Sequence, residues 1–162
     1  MIISKRSTFI TAMTLGVAVV ASTLAFAGSH GASKDQLKDA MEYRQSTFKM
    51  VGQHFGVMAD MVKGKVEYDA DAFAKNAEAL AMLSQLAPNG FAVEGTHEDS
   101  RAKKAIWEDK EDFAEKVTAF QTASAALAEA AKTGDADKAK AAFGDAGKTC
   151  KGCHTDYRSK KK

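Results

Sequence analysis

From Ser33 onward the apolar positions of the chain recur in threes and fours, the spacing that gathers side chains on one face of an α-helix. Four such stretches are legible. The first, from about Ser33 to Lys63, carries Leu37, Met41, Phe48, Val51, Phe55, Met58 and Val62 on one stripe. Ser33 with Gln36 three residues on forms a capping box, and Gly64 stops the helix. Gly52 and Gly56 lie inside it, four apart, as a smooth patch that another helix could approach closely. The second stretch runs from about Asp69, a good N-cap, to Leu86, with Phe73, Ala77, Leu80 and Leu83 as its stripe and Pro88-Asn89-Gly90 beyond its end. After a polar loop from Phe91 to about Lys104, the third runs from about Trp107 to Lys132, with Phe113, Val117, Phe120, Ser124 and Leu127 inward. The fourth starts at Asp135 and runs to about Lys160, with Ala139, Ala142, Phe143, Ala146, Cys150, Cys153 and Tyr157 inward. Four amphipathic helices on mostly short links predict an all-α fold, an antiparallel up-and-down four-helix bundle. The small alanines of the fourth stripe leave room for a flat group between helices.

The N-terminus follows a different pattern. Lys5 and Arg6 precede a mostly apolar run from Ile10 to Phe26, and Ala25-Phe26-Ala27 reads as a cleavage signal before Gly28. Residues 1–27 are expected to be a secretory signal peptide and 28–162 a single domain. A membrane anchor is the alternative, disfavoured because the apolar run falls short of the ~20 residues that a span needs. The expected location is therefore the periplasm, with no membrane association after cleavage. The 23 basic and 21 acidic residues of the whole chain lose Lys5 and Arg6 with the leader, leaving 21 of each sign. No nucleic-acid partner is expected from such a balance. The basic tail from Arg158 to Lys162 complements the negative end of the last helix.

Both cysteines of the chain lie in Cys150-Lys151-Gly152-Cys153-His154. Cys-x-x-Cys-His is the attachment signature of c-type haem. Two thiols three apart can add across the two vinyl groups of one porphyrin edge. His154, on the same helical face, then lies beneath the iron as its axial ligand. A Cys150–Cys153 disulfide or a thioredoxin-like redox pair would also use two cysteines, but the latter wants a strand before its helix, and none is evident. One covalently bound haem c per chain is expected.

The positions taken together resemble the cytochrome c′ family. Tyr43-Arg44-Gln45 and His54-Phe55-Gly56 in the first helix carry the resemblance, with Ile106-Trp107 before the third. So do Ala142-Phe143-Gly144 and the terminal motif continued by Tyr157-Arg158. The resemblance spans essentially all of residues 28–162. It implies a five-coordinate haem whose only protein ligand is His154, on which family members bind nitric oxide and carbon monoxide. The role it implies is sequestration or transport of nitric oxide in the periplasm, with electron transfer to redox partner proteins as the alternative, and a homodimer packed through the first helix. Arg44 and Gln45 match family positions at the haem edge and propionates. Arg158 matches a basic residue near the proximal imidazole, and Arg101 in the loop, beside Ser100, is a further propionate candidate.

The sixth coordination site separates these roles, since a filled site makes an electron carrier and an open one a gas binder. In six-coordinate relatives a methionine stands where Phe48 stands here, and phenylalanine cannot coordinate iron. Met50 points about 200° away from Phe48 on a regular helix, and Met41 lies two turns before it, about 10 Å along the axis. Met58, Met61 and Met82 are read as packing groups, and His54 and His97 as structural or surface residues. Phe48 is thus expected to form an apolar distal wall, which disfavours water and leaves neutral gases as ligands. The ring would also restrict distal access, and family analogy then directs nitric oxide to the side of His154 and Arg158. A peroxidase would need polar distal groups, so no enzymatic activity is expected. Trp107 is read as core.

Overall fold

The computed structural model describes residues 31–160. The expected leader, 1–27, lies outside them. Five α-helices follow one another: α1 (Lys34–Val62), α2 (Ala70–Leu86), the one-turn α3 (Ala105–Glu108), α4 (Lys110–Lys132) and α5 (Ala136–Tyr157), with a short 3-10 helix at Ala87–Phe91. The four long helices form the bundle. Among the described residues no helix is long and apolar enough to cross a membrane.

Local chemistry sets the helix starts. Ser33 and Gln36 form a reciprocal capping box on α1, while Asp69 accepts from Ala72 at the start of α2 and Asp135 from Asp137 and Lys138 at the start of α5. Each satisfies backbone donors that the first turn of a helix leaves without partners. Two boundaries differ from the sequence reading. The third helix does not begin at Trp107. The backbone breaks at Asp109 (φ −118°, ψ 69°), whose carboxylate caps α4 by accepting from Asp112, and Trp107 stays in the separate turn of α3. The fourth helix ends at Tyr157 rather than near Lys160, because Arg158 is extended and bridges antiparallel to Ala102.

The core is built from the predicted stripes. Val51, Met58, Phe73, Ala77, Leu80, Leu83, Phe120, Leu127, Ala139, Phe143 and Ala146 are buried together. α1 packs along α2, α2 along α4 and α4 along α5. The fourth seam, between α1 and α5, is looser. There the two helices meet through Phe55 and Phe143, whose rings stack at 4.2 Å. The Phe55 ring also lies against Gly147, where an added Cβ would stand 3.4 Å from its tip. Toward the C-terminal end of α5 the seam opens into a cavity. Gly52 and Gly56 do not serve contact within the bundle, since a Cβ at either would meet nothing within 4 Å.

Candidate haem pocket

The opening between α1 and α5 is a cavity of about 670 Å³, within the range of small-molecule and cofactor sites. All eight residues singled out for the site line it: Arg44, Gln45 and Phe48 from α1, Arg101 from the loop, Cys150, Cys153 and His154 from α5, and Arg158 just beyond. Cys150 and Cys153 are free, half-buried thiols. Burial pushes the pKa of each up, so both are protonated, apolar-lined groups at neutral pH. His154 is exposed within the opening. Although the ring is open to the cavity, the surrounding walls strip part of its hydration, and this desolvation first, then the charges of Arg158 and Arg101, lowers its pKa, which favours the neutral imidazole that a metal requires.

Across the opening the Phe48 ring faces the imidazole of His154, with 6.4 Å between ring centres and the planes inclined at 68°. From Phe48 an arc of rings runs around the cavity wall. Phe48 meets Phe91 at 6.3 Å, Phe91 meets Phe113 at 4.9 Å, and Phe113 meets Tyr157 at 5.1 Å, each edge to face. Such arrangements suit the ring quadrupoles. Phe91 and Phe113 were not singled out as site residues from the sequence. Their signal was an aromatic directly after Pro88-Asn89-Gly90, and an aromatic in the first turn of the helix that faces α5.

Arg44 is the most constrained charged group of the site. It is 5% exposed, its Nη1 donates to the Gly90 carbonyl at 2.7 Å, and its guanidinium lies over Phe91 at 5.4 Å and Trp107 at 5.8 Å. Trp107 in turn donates to the Phe91 carbonyl at 3.1 Å. Trp107 therefore acts on Arg44, not on the cavity directly. The second terminal nitrogen of Arg44, Nη2, is buried without a hydrogen-bond partner, a state that costs free energy unless an acceptor arrives.

The residues fit a covalently held haem. Two free thiols and an imidazole line the cavity from α5, Phe48 lines it from α1, and a buried arginine donor lacks the anion that a propionate would supply. Haem would contribute a redox-active iron, and the chain would hold it by Cys150, Cys153 and His154.

The methionines and other histidines separate clearly. Met41, on the same stripe as Phe48, is buried and lines the cavity. Met58 and Met61 belong to the core as expected, but Met82, read as a packing group, is exposed, and so is Met50, so neither packs in the interior. His54 is held through Nδ1 by Asn76 Oδ1 at 2.9 Å, and His97 lies in the loop, where it accepts from the Asp99 amide. Among the described residues, His154 is the one histidine that lines the cavity.

Comparison with known proteins agrees with the geometry. The family model described as Cytochrome C' matches residues 39–158. The cytochrome c' of Alcaligenes xylosoxydans xylosoxydans is 45% identical over 124 residues, covering 76% of this chain and 96% of that protein. Among solved structures, cytochrome c prime from Shewanella frigidimarina is 45% identical with a TM-score of 0.74, covering 76% of this chain and 96% of the other. Variants of the protein from Alcaligenes xylosoxidans have been solved with bound NO and with carbon monoxide. Both are 41% identical with a TM-score of 0.71, and the alignments cover 82% and 81% of this chain and all of theirs. Matched along most of its length by the family model and by relatives at this identity, the chain belongs to the cytochrome c′ family, whose members carry haem c.

Proposed function

We propose that this protein is a periplasmic gas-binding haem protein, not an enzyme, with five-coordinate iron that takes nitric oxide or carbon monoxide. The observation that carries this reading is the face opposite His154, where the side chain standing over the imidazole is the phenyl ring of Phe48, which has no lone pair to give a metal. The NO and carbon monoxide complexes of similar proteins support the same ligands here.

The chain's own residues shape this selectivity. Phe48 and Phe91 make the wall apolar, so water bound there would lack hydrogen-bond partners. Arg44 and Gln45, which line the cavity, are the proposed partners of the propionate edge. Arg101, whose Nε and Nη2 already donate to the Ser159 carbonyl, is a secondary one, and Arg158 is the proposed neighbour of His154. Nitric oxide sequestration or transport is the proposed role.

A homodimer is proposed through the first helix. Tyr43, Met50 and Val57 are exposed by 39%, 47% and 36%. They recur every seven residues, which keeps them on one face of α1. Tyr43 also reaches the Leu86 carbonyl at 3.3 Å, which joins this stripe to the exposed Leu86 of α2.

The deciding experiment is the optical spectrum of the reduced protein, alone and then with nitric oxide and carbon monoxide. A broad high-spin band that shifts with gas is expected. Sharp low-spin bands unaffected by either gas would overturn the reading and make the protein an electron carrier.

A further inference from the structure

The turn that carries Cys153 and His154 is fastened to α4 by a charged cluster lying beside the pocket. Tyr157, one turn after Cys153, is buried and donates its phenol hydrogen to Asp112 in the first turn of α4. Asp112 also pairs with Lys116 at 3.4 Å, and Lys116 pairs with Asp156 of α5 at 3.2 Å. Two residues of α4 thus hold two consecutive residues of α5, Tyr157 by a hydrogen bond to Asp112 and Asp156 by an ion pair with Lys116. Asp112 sits where the N-terminal dipole of α4 favours a carboxylate. On the other side of the same turn, the loop supplies a second set of bonds. Lys103 donates from its amide to the Tyr157 carbonyl at 3.0 Å and from Nζ to the Thr155 carbonyl at 3.0 Å. Arg101 donates through both Nε and Nη2 to the Ser159 carbonyl.

A helix end normally frays, because its last four carbonyls lack intrahelical partners. Here the last turn of α5 is clamped from two sides. The ring of Tyr157, seated on Phe113, is also the terminus of the aromatic arc that begins at Phe48. We propose that Asp112, acting through Tyr157 and Lys116, is a positioning residue that fixes the orientation of the His154 imidazole in the haem-loaded protein. The inference rests on the covalent haem alone and is independent of gas binding.

The test is proton NMR of the oxidised holoprotein, in which the hyperfine-shifted haem methyl and His154 ring resonances follow imidazole orientation in five- and six-coordinate iron alike. Asp112→Ala and Tyr157→Phe are expected to move these resonances in the same direction or to split them into two sets. Asp112→Asn, which keeps an acceptor for Tyr157, is expected to restore most of the original pattern. If Asp112→Ala fails to mature, Tyr157→Phe, which removes one oxygen atom, decides alone. Unchanged resonances in Tyr157→Phe, with at most a lower melting temperature, would overturn the proposal and leave the cluster a structural tie. Low-spin shifts with the same variant dependence would overturn the gas-binding reading and leave this one standing.

Discussion

Gly90 lies so close to Arg44 that a Cβ built on the glycine falls 2.5 Å from Arg44 Cγ. The same Cβ would stand 3.0 Å from a Tyr43 ring carbon and 3.4 Å from the Arg44 backbone. Arg44 cannot swing aside, because its far end is bonded to the Gly90 carbonyl and packed between two rings. Gly90→Ala is therefore expected to lower stability by about 1–3 kcal/mol through overpacking. Thermal unfolding of the holoprotein measures this, and an unchanged melting temperature would refute the contact.

Replacing Arg44 separates its two roles. Arg44→Lys keeps a cation but not the fork that reaches Gly90. It is expected to cost about 1–3 kcal/mol, since a buried carbonyl loses its donor, while the reduction potential changes little. Arg44→Met should cost a similar amount and also lower the potential, because a positive charge near the haem edge favours the reduced state. Paired denaturation and potentiometric titrations distinguish the two.

Phe48→Met places a thioether opposite His154 and is expected to convert the iron to six-coordinate low spin. Met41 lines the cavity two turns earlier on α1, so Met41→Leu is the control. It should leave the spectrum of the reduced protein unchanged. A spectral change in Met41→Leu would identify a ligand other than the one expected.

The exposed stripe on α1 gives a prediction about assembly. Met50→Glu with Val57→Glu would force two carboxylates into the proposed interface, and dimer affinity should fall at least about tenfold. Sedimentation velocity reads the change, and the haem spectrum should be unaffected.

Acid stability follows from two carboxylates. Asp135 is held below the usual carboxylate range, chiefly by the Lys138 amide and then its side chain. Asp112 is lowered chiefly by the Tyr157 hydroxyl. A carboxyl whose folded pKa is depressed contributes fully above its ordinary pKa, and the contribution fades as pH falls through the folded value. Asp135→Asn should therefore destabilise at neutral pH and converge with the unaltered protein below about pH 4. Melting temperature against pH checks it.

Much of the molecule was legible because its signals are local. Ser33, Asp69 and Asp135 announce helix starts, and Cys150, Cys153 and His154 lie within one helical turn, so their common face needs no knowledge of the fold. Phe48 and Arg44 were legible as neighbours of one cavity because Phe48 lies on the α1 stripe, Arg44 stands one turn before it, and both match family positions. What escaped depends on segments far apart in the chain. Gly90 has no unusual backbone angle to mark it, and its importance arises only where the 3-10 helix crosses α1. The end of α5 at Tyr157 is imposed by the bridge to Ala102, since the lysine-rich tail has no stop signal of its own. Asp109 breaks the third helix at a position where the pattern of apolar residues continues smoothly. Tyr157 and Asp112 stand 45 residues apart, and nothing in either neighbourhood names the other.

The gap between α1 and α5 has one more consequence. Three seams of the bundle are closed by side chains, and the fourth is finished by whatever fills the slot beside Phe48. The prosthetic group is therefore also a building material. Anything that occupies the folded chain and not the unfolded one shifts the folding equilibrium. Haem loading is thus expected to stabilise the bundle as well as to supply its iron.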